Sequence, residues 1–114
     1  MTGGLKLRRL ASEPFLPFPR AVRAGDFIFT SSIYPIDLDG RAVMGDTCLG
    51  LAGDSVITVQ TRHCLTALKE RLTELGSSLQ WVVKVDVHLA SAADFYEFKL
   101  VWRQFFPADP PGKS

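Results

Sequence analysis

The sequence predicts a single α+β domain, and three observations carry this prediction. With 114 residues, the chain falls in the common size range of one domain and leaves no room for a second core. Apolar residues recur at helical spacing in two stretches, whereas alternating patterns typical of strands precede and separate these stretches. The predicted order is hairpin, helix, long strand and helix, with the helices on one face of the sheet. Small domains commonly bury the other face of such a sheet by oligomerising.

The composition is that of a globular protein and argues against a nucleic-acid surface. The apolar fraction is 46% and the charged fraction 22%, so a packed core is expected. Thirteen basic and 12 acidic residues give a net charge of +1, whereas nucleic-acid domains usually have a strong basic excess. The nearest approach to a basic stripe is Lys6, Arg8, Arg9, Arg20 and Arg23. No apolar run has the length of a signal peptide or a membrane span, which favours a cytoplasmic protein without membrane contact.

The two cysteines predict neither a disulfide nor a metal site. Cys48 and Cys64 form no C-x-x-C pattern and no secretory signal precedes them, so a reducing compartment is expected. His63 is adjacent to Cys64, and neighbours on a helix point in different directions and could not easily share one zinc ion. We therefore expect no metal and no other cofactor, and we interpret Cys64 as a small core residue.

The first part of the chain is predicted to contain an edge strand and a β-hairpin. Residues 5–10 alternate briefly between apolar and polar types. Three prolines in the segment 14–19 exclude regular structure and deliver the chain, extended, to the next strand. Residues 21–31 predict a hairpin that turns near Gly25. The connection to the first helix is predicted to contain a turn-rich stretch (35–40), a short strand (41–44) and a loop (45–53).

The first helix is predicted to begin at Asp54 or Ser55, whose side chains can accept the free N–H groups of the first turn. Gly76 is suited to a left-handed C-cap and ends the helix. The residues that recur at helical spacing are Ile57, Thr61, Cys64, Leu65, Leu68, Leu72 and Leu75.

A long strand and an aromatic helix are predicted next. Residues 79–89 alternate, and one face is apolar: Trp81, Val83, Val85, Val87 and Leu89. Ser91 to Asp94 resembles a capping box at a helix start. The following aromatic stripe is interpreted as core, not as a cofactor site, and consists of Phe95, Phe98, Trp102 and Phe105. Prolines from position 107 onwards end this helix.

Asp86 and His88 are two residues apart and therefore share a face of the predicted strand. A carboxylate beside an imidazole can orient it for proton transfer, which makes His88 a candidate substrate-binding residue. The alternative is that both side chains line the polar interior of an oligomer or face solvent.

Eight segments along the chain occur in the order found in one known family. They are residues 21–31, 35–37, 60–62, 76–78, 82–85, 94–95, 105–107 and 111–114. Each is weak alone, but together they show that the chain resembles the Rid (reactive intermediate deaminase, YjgF) family over nearly its whole length. The resemblance implies a chorismate-mutase-like mixed sheet with two helices packed on one face. It also implies a homotrimer with clefts between subunits.

The resemblance further implies a reaction and its site. Deaminase-type members hydrolyse enamines and imines such as 2-aminoacrylate to a 2-keto acid and ammonia. This chemistry needs a cation for the carboxylate, a hydrogen-bonding wall and a positioned water. Lys113 stands where the family has an arginine, and Ser31 matches a site serine, so both are expected to be catalytic and substrate-binding. Lysine keeps the charge but offers a point donor in place of a planar fork.

Several departures from the family pattern lower the expected activity. Phe18 stands where the deaminases carry tyrosine, and Lys99 stands where they usually carry asparagine; both are candidate substrate-binding positions. The family's acidic residue lies on a final strand that is missing from residues 1–114. Either the natural chain continues beyond Ser114, or a shortened variant pairs its edge with another subunit. Weak or no hydrolysis of 2-aminoacrylate is therefore expected.

Three functions follow as hypotheses from this pattern. The first is an enzyme that hydrolyses a small carboxylate-bearing enamine or imine at an inter-subunit cleft. The second is a non-catalytic trimer that binds a small ligand or regulates a partner. The third, ribonuclease or translation inhibition, comes from older descriptions of the family, and the near-neutral charge gives it little support.

Overall fold

A computed structural model describes residues 6–14, 16–37, 40–44 and 55–113, and the side chain of Lys113 lies outside this description. The strands are β1 (Leu7–Arg9), β2 (Ala21–Ala24), β3 (Phe27–Thr30), β4 (Lys84–Val85) and β5 (Gly112–Lys113), and the helices are α1 (Val56–Glu74) and α2 (Phe95–Phe105). Short 3-10 turns span Leu79–Trp81 and Ala92–Asp94. The α+β class predicted from the sequence is confirmed.

β1, β2 and β3 form an antiparallel sheet in that order. Gly25 has a φ of 60° in the turn between β2 and β3, a left-handed conformation that glycine adopts without steric cost. The edge strand and the hairpin are therefore confirmed, with β1 shorter than predicted.

The register of this sheet separates an exposed face from a packed one. Leu7 and Phe27 are both paired with Ala24, so the three residues lie on the same face. Phe29 lies two residues beyond Phe27 on that face, and the two rings are 64% and 68% exposed. Ile28 points to the opposite face and packs against the core. One face of the sheet thus carries exposed apolar side chains within the protomer, with the exposed Arg9 of the edge strand β1 on the same face.

α1 is closed at both ends by the residues that the sequence indicated. The Ser55 hydroxyl accepts a hydrogen bond from the backbone N–H of Thr58 at 3.3 Å, a cap that contributes about 1 kcal/mol. At the other end Gly76 has a φ of 81°. Arg23 Nη1 of β2 donates to the carbonyl of Leu75 at 2.7 Å, which fastens the hairpin to the end of the helix.

The core lies between α1 and α2. Trp102 stacks in tilted geometry with Phe98 at 5.7 Å and with Phe106 at 4.5 Å between ring centroids. The buried residues of this cluster are Leu65, Leu68, Leu72, Phe98, Val101, Trp102 and Phe106. A second cluster of Leu10, Ala21 and Leu75 joins the hairpin to the end of α1. The interpretation of the aromatic stripe as core is confirmed, although Phe95 is 44% exposed.

The long strand predicted for residues 79–89 is the main difference from the expected fold. A 3-10 turn replaces its beginning, and the strand itself is β4, which pairs in parallel with β5. Val85, Val87 and Leu89 pack on the core as predicted, but Trp81 is 72% and Val83 86% exposed. A β-strand needs a neighbouring strand to pair with, and within the described part of the chain β5 pairs with two residues of β4.

The connection before α1 shows a smaller difference. Ile36 and Ala42 form an isolated antiparallel bridge where a short strand was predicted for residues 41–44. The loop predicted for residues 45–53 lies outside the described residues.

Candidate functional site

Ser31 lies directly after β3, against the proline-rich segment that contains Phe18. Its hydroxyl donates a hydrogen bond to the carbonyl of Pro19 at 2.6 Å. Its backbone N–H donates to the carbonyl of Arg20 at 3.1 Å. These two bonds hold the end of β3 against the segment that contains Phe18, which is half-buried. Ser31 is thus bonded to the residue that follows Phe18 in the chain.

The bond to Pro19 determines what the Ser31 hydroxyl can offer a ligand. A carbonyl oxygen can only accept, so the hydroxyl proton of Ser31 points toward Pro19. The oxygen lone pairs remain for a second partner, and such a partner must carry a hydrogen-bond donor. In this arrangement Ser31 is suited to accept from an N–H group or a water molecule and is poorly suited to donate to a carboxylate.

Arg71 of α1 is a buried charge behind this segment, with 5% of its surface exposed. Its Nη1 donates to the carbonyls of Arg20 at 3.0 Å and Ser31 at 3.3 Å. Its Nη2 forms an ion pair with Glu13 Oε1 at 3.5 Å. Burial lowers the pKa of Arg71 below its ordinary value, and the Glu13 carboxylate opposes that shift.

Arg71 and Glu13 were missed by the sequence reasoning. The signal was available, because Arg71 lies one heptad after Cys64 and four residues before Leu75, on the apolar stripe of α1. A charged residue at such a position requires a partner in the interior.

Lys113 lies in a different sheet from Ser31. Its backbone in β5 pairs with Val85, and the preceding Gly112 donates from its N–H to the carbonyl of Val83 at 3.0 Å. The position of its ammonium group lies outside the described residues.

Lys99 and His88 occupy separate surfaces. The Nζ of Lys99 lies 5.6 Å from the centroid of the Tyr96 ring on the same helix. His88 is exposed, and the ion pair of Asp86 is made with Lys84 at 3.5 Å. Among the described residues no hydrogen bond or ion pair joins Asp86 to His88, and both side chains are exposed within the protomer, which agrees with a solvent-facing position and with the polar interior of an oligomer.

Cys64 has the environment of a core residue. Its Sγ lies 3.7 Å from the carbonyl oxygen of Ile33, to which the thiol can donate. Burial raises the pKa of the Cys64 thiol to about 11, and the charge of Arg71 offsets part of this shift. Such a thiol is a poor nucleophile at neutral pH. Cys48 lies outside the described residues.

Two adjoining grooves of about 390 and 330 Å³ lie along α1 and share His63, Ala67 and Glu70 in their walls. The second groove is also lined by Ser32 and Arg71, so it passes close to Ser31. None of the five predicted site residues lines either groove.

Two arginines of the possible basic stripe, Arg20 and Arg23, form hydrogen bonds or ion pairs with other groups of the protein. Arg20 donates to the carbonyl of Ala11 at 2.7 Å and pairs with Glu74 at 3.1 Å. Arg23 donates to the carbonyls of Gly25 and Leu75. Both guanidinium groups thus contribute to internal structure.

Two further properties concern the described part of the chain as a whole. No group of three histidine, cysteine or acidic side chains there could hold a metal ion. None of the helices described is both long and apolar enough to cross a bilayer.

Comparison with known proteins gives consistent matches over most of the chain. The family model described as Endoribonuclease L-PSP matches residues 9–114. A RutC family protein of Pyrococcus abyssi is 34% identical over 104 residues, which cover 90% of this chain and 74% of that protein. The mitochondrial protein mmf1 of Schizosaccharomyces pombe is 36% identical over 98 residues, which cover 86% of this chain and 54% of that protein.

One curated relative and one solved structure add to this comparison. The 3-aminoacrylate deaminase RutC of Acinetobacter baylyi is 29% identical over 100 residues, which cover 88% of this chain and 72% of that protein. The crystal structure of a putative endoribonuclease from Thermotoga maritima superimposes with a TM-score of 0.75 at 30% identity. That alignment covers 100% of this chain and 82% of the other.

Proposed function

The chain belongs to the endoribonuclease L-PSP family, also called the Rid or YjgF family, and on this premise we propose that it is a slow imine hydrolase. In this proposal it binds small carboxylate-bearing enamines and imines of the 2-aminoacrylate type and converts them to 2-keto acids and ammonia. The similarity to the 3-aminoacrylate deaminase of Acinetobacter baylyi supports the reaction class.

The geometry of Ser31 is the observation that carries the proposal. Its hydroxyl proton is committed to Pro19, so its lone pairs can accept a hydrogen bond from the N–H of an imine. An enamine first tautomerises to its imine, as a proton moves from nitrogen to the β-carbon. Water then forms a C–O bond to the imine carbon, the π electron pair of the C=N bond moves to nitrogen, and nitrogen takes up the proton that the water releases. In the resulting carbinolamine the hydroxyl proton passes to nitrogen, the C–N bond breaks, and ammonia leaves as the carbonyl of the keto acid forms.

The other predicted residues are assigned to the same site by this proposal. Lys113 supplies the cation for the substrate carboxylate, and Phe18 forms an apolar wall beside Ser31. Lys99 and His88 are placed at its rim, and both must approach from other elements of the protein.

A homotrimer brings these elements together in the proposal. Leu7, Phe27 and Phe29 form an uncovered apolar face on the three-stranded sheet, the kind of surface that oligomers bury. Because Ser31 follows the strand that carries both phenylalanines, association through this face would place it at a subunit boundary. A cleft there could receive Lys113 from a neighbouring copy.

Substrate turnover separates the proposal from its alternatives. The protein is incubated with a pyridoxal-phosphate serine or threonine dehydratase, and keto-acid release is compared with the rate in buffer. We expect a weak acceleration that Ser31→Ala removes and that Ser32→Ala, at the exposed neighbouring serine, preserves. A large wild-type acceleration would show that Phe18 and Lys99 do not limit the reaction, and equal rates in both variants would exclude Ser31.

The second candidate function is a non-catalytic binder of small carboxylates. It is favoured by Phe18, which lacks a hydroxyl, and by Lys99, whose ammonium lies over the Tyr96 ring. Binding of 2-keto acids in calorimetry without any acceleration of imine hydrolysis would support it. If the protein is an enzyme, we expect Phe18→Tyr to increase the rate of hydrolysis a few-fold. The added hydroxyl can form a hydrogen bond or transfer a proton, and one such well-placed group raises a rate by this factor or more.

RNA cleavage is not proposed, although relatives carry the name endoribonuclease. The guanidinium groups of Arg20 and Arg23 are occupied by carbonyls and by Glu74. The net charge of +1 gives little attraction for a phosphate backbone.

The cytoplasmic location stays a prediction, since one relative is named as a mitochondrial protein.

A further inference from the structure

The guanidinium of Arg71 connects three segments that meet at Ser31. It reaches from α1 to the carbonyl that precedes β2, at Arg20, and to the carbonyl that follows β3, at Ser31 itself. Its other nitrogen binds Glu13, which lies at the start of the proline-rich segment. Arg71 therefore contacts the segment on each side of Phe18 and the backbone of the serine.

These contacts, together with its own bonds, hold Ser31 at several atoms. The N–H of Ser31 and Nη1 of Arg71 donate to the same carbonyl oxygen, that of Arg20. Nη1 also holds the Ser31 carbonyl, and the Ser31 hydroxyl is held by Pro19. The backbone on both sides of the hydroxyl is thus fixed, and with it the direction in which the oxygen lone pairs point.

The charge of Arg71 is itself costly in this position. A buried cation is tolerated when a carboxylate and hydrogen-bond acceptors surround it, as Glu13 and the two carbonyls do here. Replacing both partners of such a pair by apolar groups often leaves stability unchanged, whereas removing the arginine alone leaves Glu13 without its partner and costs stability. The effect of Arg71 on the site is therefore measured separately from its effect on the fold.

We infer that Arg71 is a positioning residue that, together with Glu13, holds Ser31 so that its hydroxyl oxygen accepts a hydrogen bond from the substrate nitrogen. This inference rests on the proposed function for its catalytic consequence. Its structural part, the restraint on Ser31, is independent of any activity.

The test compares the contacts of the buried Arg71 with those of the half-buried Arg23. Arg71→Leu removes the bonds to Arg20 and Ser31 and the ion pair with Glu13. The matched control Arg23→Leu removes the bonds to the Gly25 and Leu75 carbonyls, neither of which involves Ser31. Arg71→Lys retains the positive charge and tests whether the charge alone restores activity. Glu13→Gln removes the negative charge that pairs with the guanidinium. Amide hydrogen exchange at Ser31, kcat, KM and the melting temperature are measured for each protein.

Arg71→Leu is expected to accelerate amide exchange at Ser31 and to lower kcat by roughly tenfold or more, since small misplacements of a reacting group have effects of this size. The loss should appear in kcat more than in KM, because the carboxylate contact does not involve Arg71. Arg71→Lys should recover part of kcat, and Arg23→Leu should change the melting temperature without changing Ser31 exchange. Glu13→Gln should give an intermediate effect.

Two results would overturn the inference. One is unchanged Ser31 exchange in Arg71→Leu, and the other is an equal loss of kcat in Arg71→Leu and Arg23→Leu at matched stability. If the wild-type protein neither binds keto acids nor hydrolyses imines, the proposed function fails. The restraint on Ser31 is then decided by hydrogen exchange alone. If Arg71→Leu does not fold, the same comparisons are made with Arg71→Lys and Glu13→Gln.

Discussion

The region around Ser31 and the region around β4 and β5 are held together by different kinds of contact. The first is held by a side chain from a distant part of the chain. Arg71 donates hydrogen bonds to the carbonyls of Ser31 and Arg20, which lie 40 and 51 residues before it in the sequence. The second consists of a parallel ladder of two residues on each strand. Its charged pair, Lys84 with Asp86, is 62% exposed on both sides.

This difference separates a buried polar network from surfaces that are uncovered within the protomer. Around Ser31 the buried polar side chains of the described residues have hydrogen-bond partners, while Phe27 and Phe29 of the strand before it are exposed. Around β4, Val83 is 86% exposed although it belongs to an apolar alternating pattern. We therefore expect substitutions in the first region to affect the folding of each protomer, and substitutions on the uncovered surfaces to affect assembly and ligand binding.

The largest expected effect is in the cluster that joins the hairpin to α1. Leu75 is fully buried against Leu10 and Ala21, and Leu75→Ala should lower the free energy of unfolding by about 2–5 kcal/mol. Lys84→Ala is the control in the other region and should change it by no more than about 0.5 kcal/mol. Urea denaturation of both variants measures the contrast. Equal losses would show that the two regions do not differ in this way.

The sequence predicted the hairpin and α1 well because the residues that mark their turns and ends act locally. Gly25 and Gly76 mark left-handed positions, and Ser55 marks a helix start, so each element can be assigned from neighbouring residues. The strand predicted for residues 79–89 failed because alternation indicates two chemical faces but not the partner strand. Strand pairing joins residues that are far apart in the sequence, and within the described residues β5 pairs with only two residues of β4.

The next effect tests the apolar face of the three-stranded sheet. Phe29→Asp should weaken self-association by at least about a hundredfold, because burying an unpaired carboxylate at an interface costs several kcal/mol. Thr66→Asp, on the exposed surface of α1, should leave the association unchanged. Light scattering across micromolar concentrations gives the mass of each species. A monomeric wild-type protein would remove the proposed trimer altogether.

A third effect, on ligand binding, tests Lys113 of β5. Lys113→Ala should lower the affinity for small 2-keto acids by roughly ten- to a hundredfold, the size of one charge-assisted contact. Lys113→Arg should retain or strengthen binding because its planar fork can engage both carboxylate oxygens. Calorimetric titration measures the affinities, with melting curves as a control for folding. The same affinity in all three proteins would exclude Lys113 from the site.

The candidate site was less predictable from the sequence than the fold. The resemblance indicated Ser31 and Phe18, and in the structure the Ser31 hydroxyl is bonded to Pro19, the residue after Phe18. The resemblance gave no indication of Arg71, because the bonds of a buried arginine depend on which carbonyls the folded chain presents to it. Ser31, Phe18, Lys113, Lys99 and His88 remain predictions as site residues, and the last three lie on other segments of the chain than Ser31.

The smallest effect concerns the pH dependence of stability near Arg71. Burial raises the pKa of the Cys64 thiol from 9.0 to about 11, so between these values the folded protein holds a proton that the unfolded chain releases. The contribution of the thiol is complete below about pH 9 and is lost as the pH rises toward 11. The free energy of unfolding should therefore fall more steeply with pH in the wild type than in Cys64→Ala. Urea unfolding of both proteins between pH 8 and pH 11 checks this difference, because the two proteins differ only at position 64. Arg71→Leu should steepen the fall, since the guanidinium charge favours the thiolate. Parallel curves for wild type and Cys64→Ala would mean that the thiol is exposed in solution.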